Sequence, residues 1–338
     1  MIQVGVIGTG YWGKNLVRVF DNIPDARLYA CCDASETQLQ QMQQSYPDIR
    51  VFTSTEALFQ DAGVDAVAIA TPSPTHYEVA KSALEAGKHV YVEKPLTLRS
   101  QEADALVTLA RQKDRYIMVG HLLLYHPAVT TIKGLIASGD LGDIYYVYAQ
   151  RLNLGIVRKD ENAWWSLAPH DISVVLYMFD SVPTAVSARG EGYLRQDNQD
   201  VVFANLEFPD HRMGQIHVSW LDPHKMRKIT VVGSRKMVVF DDMEPTEKIK
   251  IYDKGVDITL GYESYGDAIT LRQGDIHIPR IDMAEPLKLE CEHFISCINN
   301  RQNPLTDGRN GYDVVRVLEA GQRSLEGGGM PVGVEESH

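Results

Sequence analysis

Met1-Ile-Gln-Val-Gly-Val-Ile-Gly-Thr-Gly-Tyr-Trp-Gly13 opens the chain, and its reading decides the architecture. Ile2, Val4, Val6 and Ile7 form an apolar run rich in β-branched residues, the pattern of a parallel strand buried on both faces. The run ends in Gly8-Thr9-Gly10-Tyr11-Trp12-Gly13, a G-x-G-x-x-G. Lys14 to Phe20 follows with helical spacing, Leu16, Val17 and Phe20 falling on one side. Glycines at such a strand-to-helix turn have separate tasks. Gly8 permits the tight turn, Gly10 lets backbone approach a pyrophosphate, and Gly13 lets helix and strand pack closely. The helix start adds free N–H groups and the positive end of its dipole.

A second strand, Arg27 to Cys32, ends in Asp33. That acid lies about twenty residues beyond Gly13, where a carboxylate binds the ribose hydroxyls. Ala34, Ser35 and Glu36 offer no base to a 2′-phosphate, and Asp33 would repel one, so the expected cofactor is NAD rather than NADP. The alternative is a structural glycine turn with Asp33 capping the next helix. Thr9, Tyr11 and Trp12 join the glycines in the expected cofactor site.

Strands are expected again at Val51-Phe52, Asp65–Thr71, His89–Val92 and Tyr116–Val119, with helices between them and Ser54 as an N-cap. Six strands alternating with helices make a doubly wound parallel sheet, a Rossmann domain over 1–121. Its ligand edge collects Gly8–Gly13, Asp33, Thr71-Pro72, Glu93-Lys94 and His121. Residues 122–338 read as an α/β domain with a large, open, mostly antiparallel sheet. Its expected strands are 144–153, 184–190, 201–208, 213–220, 227–232 and 236–240. Its helices begin at Pro127, Pro169, Pro286 and Gly311, and the tail from Gly327 reads as loose.

The chain of 338 residues is long enough for two cores. A net charge of −12 argues against nucleic acid as a partner. No apolar run is long enough to span a membrane, and the chain opens directly on a strand, so a cytoplasmic enzyme with a small-molecule substrate is expected. Cys31, Cys32, Cys291 and Cys297 lack C-x-x-C or zinc-finger spacing, and no histidine pair has metal-ligand spacing; no metal is expected.

A dehydrogenase needs a proton acceptor near the carbinol and a donor to steady the alkoxide. Lys94 ends a buried strand at the ligand edge beside Glu93 and Pro95; the alternative is a surface lysine after a strand. His170 lies where a helix is expected to begin after Pro169, and a helix N-terminus favours the neutral imidazole a base requires. Equally, it is a helix-start histidine satisfied by backbone. Trp164 and Trp165 upstream are placed to wall a pocket or stack on a ring. His76 fits either the diphosphate or an early helix turn, and Arg151 either a substrate anion or an ion pair. Tyr125 and Asn153 complete the expected substrate contacts.

Together these features resemble the glucose–fructose oxidoreductase / inositol dehydrogenase / rhizopine catabolism family: Gly8-x-Gly10-x-x-Gly13, Asp33, Ala70-Thr71-Pro72 with His76, Glu93-Lys94-Pro95, His170, Glu285-Pro-Leu287 and Pro304-Leu-Thr-Asp-Gly308. The resemblance implies an NAD-binding domain, Lys94 and His170 as the catalytic pair, and a homodimer or homotetramer formed through the second domain's sheet. Many relatives have Asp four residues before the histidine, where this chain has Ser166, and Arg where it has Leu124. The wording of Tyr11–Arg18 and Leu167–Asp171 looks most like the branch oxidising C3 of nucleotide-linked sugars, UDP-N-acetylglucosamine first among them, ahead of an aminotransferase. Alternatives are a dehydrogenase of free sugars or inositol, and an NAD-binding regulator without turnover.

Overall fold

Strands without a polar face need cover on both sides, and helices between parallel strands provide it. The computed structural model describes residues 1–155, 157–158, 161–196, 198–258 and 269–335. It begins β1 (Ile2–Ile7), α1 (Gly13–Asp21), β2 (Ala26–Cys32), α2 (Glu36–Ser45), β3 (Arg50–Phe52), α3 (Thr55–Gln60), β4 (Ala66–Ile69), α4 (His76–Glu85), β5 (His89–Val92), α5 (Ser100–Lys113) and β6 (Ile117–Val119). The six strands are parallel in the order β3-β2-β1-β4-β5-β6. β1 lies where the order reverses, and the crevice beyond its carboxyl end is the ligand position of such a sheet. Leu16, Val17 and Phe20 of α1 are fully buried, each burial contributing about 1.5–3 kcal/mol. Ser54 caps α3 as expected, its hydroxyl accepting from the N–H of Ala57.

Met1–Tyr125 and Ala284–Arg316 form one compact unit, and His126–Met283 and Val317–Glu335 the other. The chain thus returns to its first unit, which a single cut between residues 121 and 122 does not express. The return is held by backbone: the Val119 N–H donates to the Thr306 carbonyl at 2.8 Å, and Met118 bridges to Asp307. The Arg18 guanidinium also reaches Glu285, with one contact at 3.2 Å.

The rest of the chain is α6 (Pro127–Ala137), β7 (Ile144–Leu152), α7 (Ala163–Phe179), β8 (Ala185–Glu191), β9 (Val201–Glu207), β10 (Met213–Ser219), β11 (Met226–Gly233), β12 (Met237–Asp241), β13 (Ile249–Ile258), β14 (Ile269–His277), α8 (Pro286–Asn300), α9 (Gly308–Glu326) and β15 (Val332–Gly333). Among the described residues the second unit's sheet has nine strands in the order β14-β13-β12-β11-β7-β10-β9-β8-β15. β7 and β10 are parallel and the other pairs antiparallel. Along β9, Val202, Ala204 and Leu206 are buried while Phe203, Asn205 and Glu207 face out. α7 packs on β7, β9 and β10.

Three expectations change here. β13 and β14 extend the sheet past Phe240, where charged residues such as Lys250, Asp253 and Lys254 obscure the alternation. The tail is not loose over Val332–Gly333, which pairs with β8; residues 336–338 lie outside the described residues. And α7 starts at Ala163, not at Pro169. Asn162 is its cap, accepting from the Trp165 N–H at 3.0 Å, while its amide donates to Gln199 and Gln322. Proline at position 169 removes one N–H from the ladder, but the anchored cap carries the helix through it.

Trp164 is fully buried, its indole N–H donating to the Leu318 carbonyl at 2.9 Å. A Cβ on Gly321 would come within 2.5 Å of that ring. Gly321→Ala should therefore lose about 1–3 kcal/mol from overpacking. A lower urea midpoint at unchanged slope is expected; a wild-type midpoint would show that the indole can shift.

Candidate active site

The turn after β1 is built by steric exclusion. Gly8 has φ +85°, and a Cβ there would lie 2.9 Å from the Ala70 carbonyl group. A Cβ on Gly13 would sit 1.8 Å from the Gly8 oxygen, whereas one on Gly10 meets nothing within 4 Å. Packing demands the first and third glycines. The second leaves its backbone open to approach from outside, as a pyrophosphate requires. α1 has no side-chain cap and no acid in its first turn, so its N–H groups suit an anion.

Asp33 fastens this turn. Its Oδ2 accepts from Thr9 N at 2.7 Å and Thr9 Oγ1 at 3.0 Å, and its Oδ1 from Ser35 N at 2.9 Å. A carboxylate has about four acceptor positions, so one remains for a ribose hydroxyl. These residues fit NAD. Tyr11 is 93% exposed, while the Trp12 indole N–H donates to Glu93.

His76, expected near the diphosphate, is buried with both nitrogens turned to backbone: Nδ1 is 2.8 Å from the Pro95 carbonyl and Nε2 2.9 Å from that of Thr71. It clamps the ends of β4 and β5 together. Burial lowers its proton affinity, the two carbonyls oppose that, and the charge of Lys94 lowers it further. The Thr71 hydroxyl accepts from that of Thr75 and the Pro72 carbonyl from the Thr75 N–H, which sets the entry to α4.

Lys94 follows β5 and is half-buried. Glu93 beside it is buried, with its proton affinity raised by burial. His121, after β6, is fully buried. Its Nδ1 lies 2.7 Å from the Asn310 Oδ1, an acceptor, so the proton sits on Nδ1. Nε2 is then a buried acceptor without a partner among the described residues, suited to a donor on a bound ligand. Burial, with the charge of Lys94 adding, lowers the pKa of His121 to about 4. Tyr125, expected at the substrate, is buried with its hydroxyl 3.1 Å from that of Thr306.

His170 and Trp165 belong to the second unit, Lys94 to the first. Because α7 begins at Ala163, His170 lies beyond its first turn, and the helix-terminus argument for its neutral form falls away. Arg151 is an ion-pair residue. Its Nε and Nη2 meet Asp171 at 2.8 and 2.9 Å, both side chains largely buried, and join β7 to α7 one residue after His170. Asn153 is exposed, its N–H donating to the Ser219 carbonyl. Asn310, Tyr91 and Glu290 belong with these residues and went unnoticed in the sequence. Asn310 starts a helix about two hundred residues from its partner, and nothing local marks it.

Among the described residues no group of three or more His, Cys, Asp or Glu is placed to hold a metal ion, and no helix is long and apolar enough to cross a membrane.

Residues 2–121 match the pattern of an oxidoreductase family with an NAD-binding Rossmann fold, and residues 129–239 that of a GFO/IDH/MocA C-terminal domain. The chain is 27% identical over 316 residues to the UDP-N-acetylglucosamine 3-dehydrogenase of Acidithiobacillus ferrooxidans, covering 93% of this chain and 94% of that one. It is 25% identical over 347 residues to the scyllo-inositol 2-dehydrogenase (NAD(+)) of Bacillus subtilis, covering 98% and 96%. The solved structure of the Acidithiobacillus enzyme shares the fold, with a TM-score of 0.84 at 24% identity over 97% of this chain and 99% of that one.

Asp33→Ala should weaken NAD binding by about 1.5–3 kcal/mol in titration calorimetry, removing a charge-assisted acceptor and releasing Thr9. NADP bound by the wild type as tightly as NAD would contradict the ribose assignment. His121 also predicts an acid sensitivity. Its folded pKa of about 4 lies below the usual 6.5, so the unfolded chain binds the extra proton between those values. Its contribution is complete above pH 6.5 and lost as pH falls toward 4. His121→Gln should flatten the decline of stability over that window, measured by urea unfolding at stepped pH; an unchanged slope would refute the assignment.

Proposed function

The chain belongs to the Gfo/Idh/MocA family of NAD-binding oxidoreductases, and on that premise we propose that it oxidises the C3 hydroxyl of a nucleotide-linked sugar, UDP-N-acetylglucosamine before others, to the 3-keto form that an aminotransferase then consumes. The observation that carries the substrate is the likeness to the Acidithiobacillus 3-dehydrogenase along nearly the whole of both chains. The scyllo-inositol relative, matched over a similar span, favours a second reading, a polyol or free-sugar dehydrogenase.

In the proposed reaction His170 takes the hydroxyl proton and Lys94 stabilises the developing alkoxide. NAD, when bound, accepts the hydride from C3. The substrate loses one hydride and one proton and becomes a ketone. Ser166 stands where many relatives have a carboxylate, so the lysine is oriented by other groups, beginning with the buried Glu93 that accepts from its backbone N–H at 3.3 Å. The half-exposed apolar residues on the open face of the second unit's sheet, Tyr146, Phe203 and Met213, suit a second copy of the chain as cover, giving a homodimer or homotetramer.

His170→Asn should lower turnover about 10²–10⁴-fold while NAD still binds, and Lys94→Ala should do likewise. The double variant should lose much less than the product of the two. Wild-type turnover in His170→Asn would reopen the non-catalytic reading. Reduction of NAD with UDP-N-acetylglucosamine but not with inositols would favour the nucleotide-sugar reading, and the reverse pattern the polyol one. Sedimentation at micromolar concentration should show a dimer or tetramer; monomer alone would count against the covered sheet.

A further inference from the structure

Beneath the glycine turn lies a chain of buried polar groups, of which the proposed chemistry uses only Glu93, beside Lys94. Glu290 on α8 and Tyr91 in β5 are both 0% exposed. The Tyr91 hydroxyl is 2.9 Å from Glu290 Oε2 and 3.3 Å from Glu93 Oε1. Glu93 also accepts from the Trp12 indole N–H and, at 3.3 Å, from the Lys94 backbone N–H. Packing holds the chain in place: a Cβ on Gly120 would lie 2.8 Å from the Tyr91 hydroxyl and 3.1 Å from Glu93 Oε2.

One phenol has one proton and cannot donate to two carboxylates. With both acids ionised, one would face phenol lone pairs, and two negative charges would share a dry interior. Trp12 and the Lys94 N–H also donate to Glu93 and favour the anion there, so the arrangement that satisfies both acids places the neutral form at Glu290. Glu290, carrying a proton on Oε2, donates to the Tyr91 oxygen, and Tyr91 donates to Glu93. Glu93 is then the anion, with three donors. Glu290 is the neutral acid, and its Oε1, without a partner among the described residues, is a carbonyl oxygen rather than half a carboxylate.

We propose that Glu290, held as a neutral acid, and Tyr91 form a proton-bearing chain that positions Glu93, and through it Trp12 of the phosphate turn and the backbone before Lys94, for NAD binding. Burial pushes the Glu290 carboxyl well above the usual range and the charge of Glu93 adds to the effect; burial raises Tyr91 likewise. Among the described residues, the titratable groups facing Glu290 are Tyr91 in β5, Glu93 just after it, Tyr125 after β6 and Cys291 on its own helix, none of them a cation. All three links are positioning residues, and the inference is independent of which sugar is oxidised.

Infrared difference spectra of the cofactor-free protein at neutral pH, wild type minus Glu290→Gln, should contain the carbonyl stretch of a buried protonated carboxylic acid. Loss of carboxylate stretches instead would overturn the proton assignment. Titration calorimetry with NAD reads the positioning. Glu290→Gln, whose amide still donates to Tyr91, should bind within about threefold of wild type, whereas Tyr91→Phe and Glu290→Leu should weaken binding about tenfold or more. Wild-type affinity in Tyr91→Phe would overturn the positioning role. If that variant does not fold, the spectra and the contrast between Glu290→Gln and Glu290→Leu decide it. These readouts involve no sugar, so their failure leaves the proposed reaction untouched, and a failed sugar assay leaves them untouched.

Discussion

The contact on which the first unit depends is the approach of α1 to the end of β1, so close that a Cβ at Gly13 would overlap the Gly8 oxygen. That approach brings the helix start, with the positive end of its dipole, to the crevice beyond the sheet, a place suited to an anion. Asp33 makes the turn rigid by crossing from β2 to hold both the N–H and the hydroxyl of Thr9. The same carboxylate thus shapes the glycine turn and keeps one acceptor position open.

Around this turn the strand ends gather ionisable groups in little water. Lys94 supplies positive charge that reaches both His76 and His121, and burial dominates the protonation of each. The two imidazoles differ in use. His76 faces a backbone carbonyl with each nitrogen and joins two loops, whereas His121 spends one nitrogen on Asn310 and keeps the other as an acceptor. Two histidines expected at the same ligand edge, one opening α4 and one just beyond β6, therefore divide into a clamp and a candidate ligand contact.

In the second unit the sheet and α7 are tied by charge as well as by apolar packing. The bidentate pair of Arg151 and Asp171 is nearly dry, and removing either member would strand the other as an unpaired buried charge. The anchored cap at Asn162 and the indole of Trp164 against α9 hold the same helix at its start.

The sequence by itself determined the doubly wound parallel sheet, the glycine turn after its first strand and the placing of Asp33 and Lys94 at strand ends, because these follow from local periodicity and from two glycine positions, Gly8 and Gly13, where a larger residue would clash. It also located most of the second unit's strands by their alternation. Only the tertiary structure decided which polar side chains are spent. Arg151, His76 and Tyr125 have their polar atoms engaged by Asp171, by the Pro95 and Thr71 carbonyls and by Thr306, partners between five and about two hundred residues away. The start of α7 was misread because Pro169 is a strong local signal, while the stronger cap at Asn162 depends on Gln199 and Gln322 arriving from elsewhere. Tyr91 and Glu290 carry no local mark, since the free energy that matters there, that of sharing a proton in a dry interior, exists only once distant segments have packed together.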